Sequence, residues 1–269
     1  MITMKKKEKG DKLYVKCFST PRLYGQIKTH KIDHPIRPVV ASYTNPSFLL
    51  AKYLTSWFCN LTNFTAQHSI QNSIQLATEL KDMRFTPDCQ LVSFDVTSMF
   101  TNVPIEKSID IMYKILVKAG ADLDTVDEFE SLAHICLDKN ICQFDNKTFQ
   151  FPGGVPMGGP MSSIIAEVFM DLLERWALNR YCGSGTILLW YRYVDDALCV
   201  WRGSDKELRK FHHILHAFDE NIKFTIEDGG HRINFLDLTI ELRSDNLDDG
   251  LLTPSFSIYR KQTYSGLSI

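Results

Sequence analysis

The sequence has no apolar run near the roughly 20 residues that cross a bilayer. Its seven cysteines, at 17, 59, 89, 136, 142, 182 and 199, are odd in number and include no C-x-x-C pair. That argues against a zinc site and a disulfide framework and points to reduced thiols in an intracellular protein. Gly-Lys-Ser/Thr is missing, so there is no Walker A phosphate loop. No internal repeat or low-complexity linker interrupts the chain. The start, MITMKKKEKGDK, has no apolar stretch behind its basic residues, which excludes a secretory signal. Such a start fits an import signal, a nucleic-acid contact or a solvated tail. A net charge of −2 gives no global reason to expect nucleic acid.

What is present is the composition of an ordinary globular protein: 269 residues, 44% apolar and 23% charged. That is enough for one large domain or two small ones with a substantial core. The charge is uneven. Residues 1–40 carry ten Lys or Arg against three acids, an excess that suits a partner with phosphates.

The chain is organised around WYRYVDDALCVW, residues 190–201. Dense β-branched and aromatic residues on both sides of Asp195-Asp196 predict two strands joined by a tight hairpin, with the acids at or beside its tip. Asp-Asp is poor turn chemistry, and two adjacent like charges repel. A divalent cation would relieve that repulsion, whereas a solvated acidic turn would leave it in water.

In chain order, 13–41 reads as short strands and turns, with the basic loop Lys28-Thr29-His30-Lys31 between apolar anchors. A helix follows from about 45, on Leu50, Tyr53, Leu54, Trp57, Phe58 and Leu61. A second spans about 69–83, with Ile70, Ile74, Ala77 and Leu80 on one face. Residues 91–96 form a strand ending in Asp95-Val96, and 97–104 turn into a helix over 104–119. Another helix covers 125–138. A hairpin around Asn146-Lys147 precedes FPGGVPMGGPMSS, 151–163, whose Gly153, Gly154, Gly158 and Gly159 would let backbone approach a ligand closely. That loop feeds a helix over 162–179. Beyond the Asp-Asp hairpin come a helix over 204–219, strands at 222–227 and 231–242, and a last strand around 255–260. His212 and His216 share a helix face beside His213. No acid or cysteine stands at matching spacing, so no metal site is expected there.

If the strands carrying Asp95 and Asp195-Asp196 belong to one sheet, the acids converge. Such carboxylates could hold two Mg²⁺ ions about 4 Å apart, the clamp of in-line phosphoryl transfer.

Five blocks in order resemble a reverse transcriptase, and their wording resembles the Penelope-like retroelement branch. They are LYGQIKTHK (23–31) with PIRPVV (35–40), SFDVTSMFTNVP (93–104), GVPMGGPMSSIIAEVFM (154–170), YRYVDDALCVW (191–201) and INFLDLTI (233–240). The resemblance implies an α/β (α+β) fold: a right-hand polymerase palm and fingers, with an antiparallel palm sheet packed on helices and the thumb absent or truncated. It divides the chain into a basic tail (1–12), a fingers-like region (13–90), a palm (91–242) and the start of a thumb or connection (243–269).

The resemblance also implies roles. Asp95, Asp195 and Asp196 would be catalytic and hold two Mg²⁺, with Mn²⁺ able to substitute, and the Val96 carbonyl would complete one shell. Phe100 would be the steric gate against a ribose 2′-OH, with a plain core ring as the alternative. Lys28 and Arg37 would hold the incoming triphosphate, and Met157 and Gly158 would line the nucleotide pocket. Phe235, Leu236 and Asp237 would form the primer grip, with an ordinary packing strand as the alternative. The implied partners are an RNA template, a DNA primer and dNTPs, without a membrane and with no oligomeric state indicated. The implied location is the nucleus. The sequence departs from the family with Gly159 where Ser is usual and Ser163 where Pro is usual. It stops about where a thumb should begin, as a fragment of a longer element would. Two rivals remain: a catalytically silent remnant that binds nucleic acid or a partner, and a metal-dependent phosphodiesterase using the same acids.

Overall fold

The computed structural model describes residues 15, 17–27, 34–137, 140–151, 153–181, 185–244 and 250–260. These form eleven strands, seven α-helices and one 3₁₀ turn. Two compact units interleave along the chain: 1–66 with 98–172, and 67–97 with 173–269. The 13–90 span therefore contributes to both units.

The first unit begins with β1 (Arg22–Ile27) and β2 (Ile36–Ala41), paired antiparallel, followed by a 3₁₀ turn at Ser42–Thr44. Then comes α1 (Phe48–Thr62), which buries Ala51, Leu54 and Phe58 and ends with Asn63 in the left-handed region. The second unit takes over with α2 (Ser73–Leu80) and β3 (Gln90–Val96). Helix α2 is shorter than its apolar pattern predicts. The Asn72 side chain caps it by accepting the Gln75 N–H at 2.9 Å, and Ser69 bridges to another strand. Ile70 therefore lies before the helix, and the helical spacing counted from it fails: Leu76 and Leu80 are buried while Ile74, expected inside, is 76% exposed.

Back in the first unit, α3 (Met99–Asn102) and α4 (Ile105–Lys118) precede α5 (Leu123–Leu137). Helices α1, α4 and α5 pack through Phe129, which stacks on Trp57 at 5.7 Å and on Phe58 at 6.0 Å. Strands β4 (Ile141–Phe144) and β5 (Lys147–Gln150) complete a sheet of order β2-β1-β4-β5. Their turn is Asp145-Asn146, one residue earlier than expected. Both residues have positive φ, which Asp and Asn tolerate better than Lys147 would.

The division falls within α6 (Ser162–Arg180), a helix buried on nearly every side over its first three turns. The second unit continues with β6 (Ile187–Tyr193), β7 (Asp196–Trp201), α7 (Asp205–Ala217) and β8 (Phe224–Gly230). A capping box between Ser204 and Glu207 starts α7. Strands β6, β7, β3 and β8 form one antiparallel sheet in that order, with β7 and β3 central. Phe94, Trp190 and Phe211 meet beneath it at centroid distances of 5.0 to 5.9 Å.

The single strand expected over 231–242 is two, β9 (Arg232–Phe235) and β10 (Leu238–Ser244), which fold back at Leu236-Asp237. They join β11 (Leu252–Ile258) in a second sheet of order β11-β10-β9. The apolar alternation changes phase at Leu236-Asp237, from Ile233 and Phe235 to Ile240 and Leu242, as a two-residue turn requires when the residues flanking it face each other. Among the described residues no helix is long and apolar enough to cross a membrane.

Candidate active site

Two of the acids expected to act together, Asp95 and Asp196, lie opposite each other in one sheet of the second unit. Asp95 is the penultimate residue of β3 and lies directly opposite Asp196, the first residue of β7. Directly opposed residues on neighbouring strands share one face, with Cβ atoms about 4.5–5.5 Å apart, and like charges there repel. All three acids are partly accessible to solvent.

Asp195 occupies the hairpin turn itself. Tyr193 pairs with Asp196, so the two-residue loop is Val194-Asp195. Val194 has φ +56°, while Asp195 does not have positive φ. Left-handed backbone at the first turn position alone is the pattern of a type II′ turn, where glycine is preferred. For a β-branched residue it costs about 1–3 kcal/mol, and such strain persists only where surrounding contacts hold it.

Those contacts are visible. The Asp195 carbonyl accepts the Val96 N–H at 2.9 Å, and the Val194 carbonyl accepts a hydrogen bond from Arg192 Nη1 at 3.0 Å. Arg192 is fully buried in β6. Its Nε donates to Glu174 Oε1 of α6 at 2.9 Å, and the Trp190 indole N–H donates to the same oxygen at 2.8 Å. Burial pushes the Glu174 carboxyl up, and the Arg192 guanidinium opposes that shift. The Arg192 backbone is held as well, its N–H by the His68 carbonyl and its carbonyl by the Ile70 N–H, both at 2.8 Å. Sequence reasoning missed Arg192 and Glu174. The available signal was a charged residue at a position where alternation predicts an inward side chain, two residues from Trp190.

Val96 closes β3, buried, with its N–H committed to Asp195. The next N–H, of Thr97, donates to the Lys223 carbonyl at 2.8 Å. The other flank of Asp95 is β8, where Thr225 lies opposite it. Phe224, which begins β8, is held by α7: His212 Nε2 bonds its carbonyl at 2.8 Å, and its N–H donates to His216 Nε2 at 2.9 Å. The histidines thus anchor a strand beside Asp95.

Phe235 is buried in a core with Ile233, Ile240 and Leu242, while Leu236 and Asp237 form the β9–β10 turn with Leu236 at φ +57°. Asp237 is exposed, and its carbonyl accepts the Tyr259 N–H at 2.8 Å.

The expected nucleotide residues belong to the first unit, except that Lys28 lies outside the described residues. The glycine-rich loop gives the others a shared frame. The Met157 carbonyl accepts the Val40 N–H at 3.0 Å, and the Ser42 hydroxyl donates to the Gly158 carbonyl. Gly158 has φ +103°, and a Cβ there would stand 2.6 Å from the Val40 carbonyl oxygen. At its other end, Val155 N–H donates to the Phe100 carbonyl at 2.7 Å, and a Cβ on Gly154 would strike the backbone of Phe100 and Thr101. Gly154 and Gly158 therefore let segments of the chain itself approach closely. The loop ties β2, which carries the exposed Arg37, to α3, which carries the half-buried Phe100.

The chemistry of the acidic centre fits hard divalent cations. Carboxylate oxygens are the right donors, and the opposed charges of Asp95 and Asp196 need a compensating one. Among the described residues no three His, Cys, Asp or Glu side chains form a ready-made metal cluster. Mg²⁺ is commonly bound by one or two carboxylates completed by substrate phosphates and water.

The family model for reverse transcriptases (RNA-dependent DNA polymerases) matches residues 31–229. No curated protein matches the chain. Among solved structures, the apo telomerase of Candida tropicalis is similar at 12% identity and a TM-score of 0.63, over 83% of this chain and 46% of that one. The same organism's telomerase with a fragment of telomeric RNA gives 13% identity and a TM-score of 0.62, over 85% of this chain and 44% of that one. The RNA-dependent RNA polymerase of BmCPV in its quiescent state gives 12% identity and a TM-score of 0.58, over 83% and 22%. The chain thus spans less than half the length of each of these three structures, and the likeness is one of fold: a mixed α+β palm and fingers with an antiparallel sheet.

Proposed function

The chain belongs to the reverse transcriptase (RNA-dependent DNA polymerase) family, and from that premise we propose that it is the polymerase core of a Penelope-like retroelement. It adds dNTPs to a DNA primer 3′-OH along an RNA template. The observation that carries this reading is the placement of Asp95 opposite Asp196, with Asp195 in the adjoining turn. The three acids hold divalent cations, Mg²⁺ foremost and Mn²⁺ in its place, and the Val96 carbonyl adds a further oxygen. Bound there, the cations would lower the pKa of the primer hydroxyl and neutralise charge on the departing pyrophosphate.

The remaining roles fall to the chain's own residues. Arg37 and Lys28 bind the triphosphate, for which a guanidinium fork is well shaped. Met157 and Gly158 line the nucleotide pocket, and the Phe100 ring excludes a 2′-hydroxyl. Leu236 and Asp237, on a hairpin whose Phe235 is anchored in the core, contact the primer. The RNA–DNA duplex is recognised through its shape, without reading its sequence. The protein works in the nucleus.

Primer extension on an RNA template, with Mg²⁺ and dNTPs, tests this. Wild type extends the primer, and Asp195→Asn loses the activity while keeping its fold by circular dichroism. Extension by the variant at the wild-type rate would sink the assignment of Asp195. Template binding without any incorporation by wild type would favour a silent remnant, and cleavage of nucleic acid without dNTPs would favour a phosphodiesterase.

A further inference from the structure

A buried ion pair is costly to desolvate and is weak evidence of stabilisation, so Arg192–Glu174 asks for another explanation. Its arginine stands two residues before the strained position of the Val194-Asp195 turn. Glu174 is fully buried on α6, and its Oε1 holds both Trp190 and Arg192, alternate residues on one face of β6. The guanidinium is thereby fixed with Nη1 aimed at the Val194 carbonyl. The peptide bond before Asp195 is pinned by Arg192, and the peptide bond after it is pinned by the Val96 N–H. With both flanking planes held, the direction in which Asp195 projects its carboxylate is determined.

We propose that Arg192, oriented by Glu174, is a positioning residue that holds the Val194-Asp195 turn in its strained conformation and so aims the Asp195 carboxylate. This rests on the reading of Asp195 as catalytic. The geometry needs an arginine. One planar guanidinium can meet a carboxylate through Nε and a carbonyl through Nη1 at once. A lysine ammonium keeps the charge beside Glu174 but cannot reach both acceptors in those directions.

The test uses the full chain with Arg192→Lys and with Glu174→Gln/Arg192→Met. The double variant removes both charges together and leaves Trp190 an acceptor, so it guards against simple unfolding. In primer extension, kcat falls about 10–100-fold in both, as for other residues that orient a metal-site ligand. The KM for dNTP stays within about twofold, and kcat is referred to the folded fraction measured by circular dichroism, because unfolded protein lowers apparent kcat without moving KM. Hydrogen exchange supplies a readout independent of activity. The Val96 amide, whose acceptor is the Asp195 carbonyl, exchanges about tenfold faster in Arg192→Lys. The Leu242 amide, bonded to the His231 carbonyl in the other sheet, keeps its wild-type rate. Unchanged Val96 exchange, or wild-type kcat in a folded variant, would overturn the positioning role. Accelerated Val96 exchange in a chain whose wild type incorporates nothing would leave the positioning intact and strike down the functional reading.

Discussion

Two hairpins of this molecule solve the same geometric problem with opposite chemistry. The β4–β5 turn is Asp145-Asn146, both left-handed, in the residue types that accept that conformation at least cost. The β6–β7 turn places Val194 in the left-handed region, where a β-branched side chain is among the worst choices, and follows it with Asp195, next to an Asp196 that lies opposite Asp95. The second is held by the Val96 N–H and by a guanidinium drawn from the core. A turn whose residues suit it needs no outside support. A turn whose residues do not suit it marks a position where side-chain placement outweighs local stability.

Exchanging the two chemistries gives the largest effect. Val194→Gly with Asp195→Asn installs the residues that a type II′ turn favours. The thermal midpoint should rise as about 1–3 kcal/mol of strain is relieved. Incorporation of dNTPs should fall by 10²- to 10³-fold or more, roughly the scale set by removing one charge-stabilising group. A variant both more stable and fully active would break the comparison. The reverse change is milder. Asp145→Val should cost about 1–2 kcal/mol in a denaturant titration, because it forces a β-branched residue left-handed. Primer extension by the same variant should stay within about twofold of wild type.

The smallest effect concerns the strand beside Asp95. His216 accepts the Phe224 N–H, and burial, then the neighbouring His212, hold its pKa below the usual value. Lys223 and His213 act in the same direction, against the hydrogen bond to Phe224. A histidine lowered in the folded state contributes stability that is complete above the unfolded value of about 6.5. That contribution declines as pH falls through the lowered native value. Melting curves between pH 8 and 5 should show this slope, and His216→Gln should flatten it.

Much of this was legible beforehand. Strand β3, the hairpin of β6 and β7, and helices α4 and α6 follow from periodicity and from the residues that start and stop them. The acids were found because a charged pair between apolar strands has little else to do. What could not be read belongs to the third dimension. Ile74 fits an inward stripe counted from Ile70, yet the helix starts only at Ser73, so Ile70 lies outside it and Leu76 takes the inward place. The break at Leu236-Asp237 leaves only a change of phase in the alternation, from odd to even positions, which one long strand with an irregularity would also give. Gly154 and Gly158 look like a ligand cradle, because glycine reports only that something approaches and not what. Glu174, on a helix buried nearly all round, looked like one polar residue on an apolar element until Trp190 and Arg192 stood beside it.

The order of the sheet carrying the acids also governs how the chain reaches its final state. Strand β3 lies between β7 and β8, so both of its edges are satisfied only by segments at 196–201 and 224–230. During synthesis β3 emerges long before either partner exists, as an apolar ribbon with bare hydrogen-bonding edges. Helices α3, α4 and α5 and the β4–β5 hairpin can form meanwhile from neighbouring residues. The centre that bears Asp95 must wait, and such distant pairing is slow and exposed to aggregation. Recovery of the protein from a cell will therefore depend on how well the nascent chain is sheltered until residue 230 has left the ribosome.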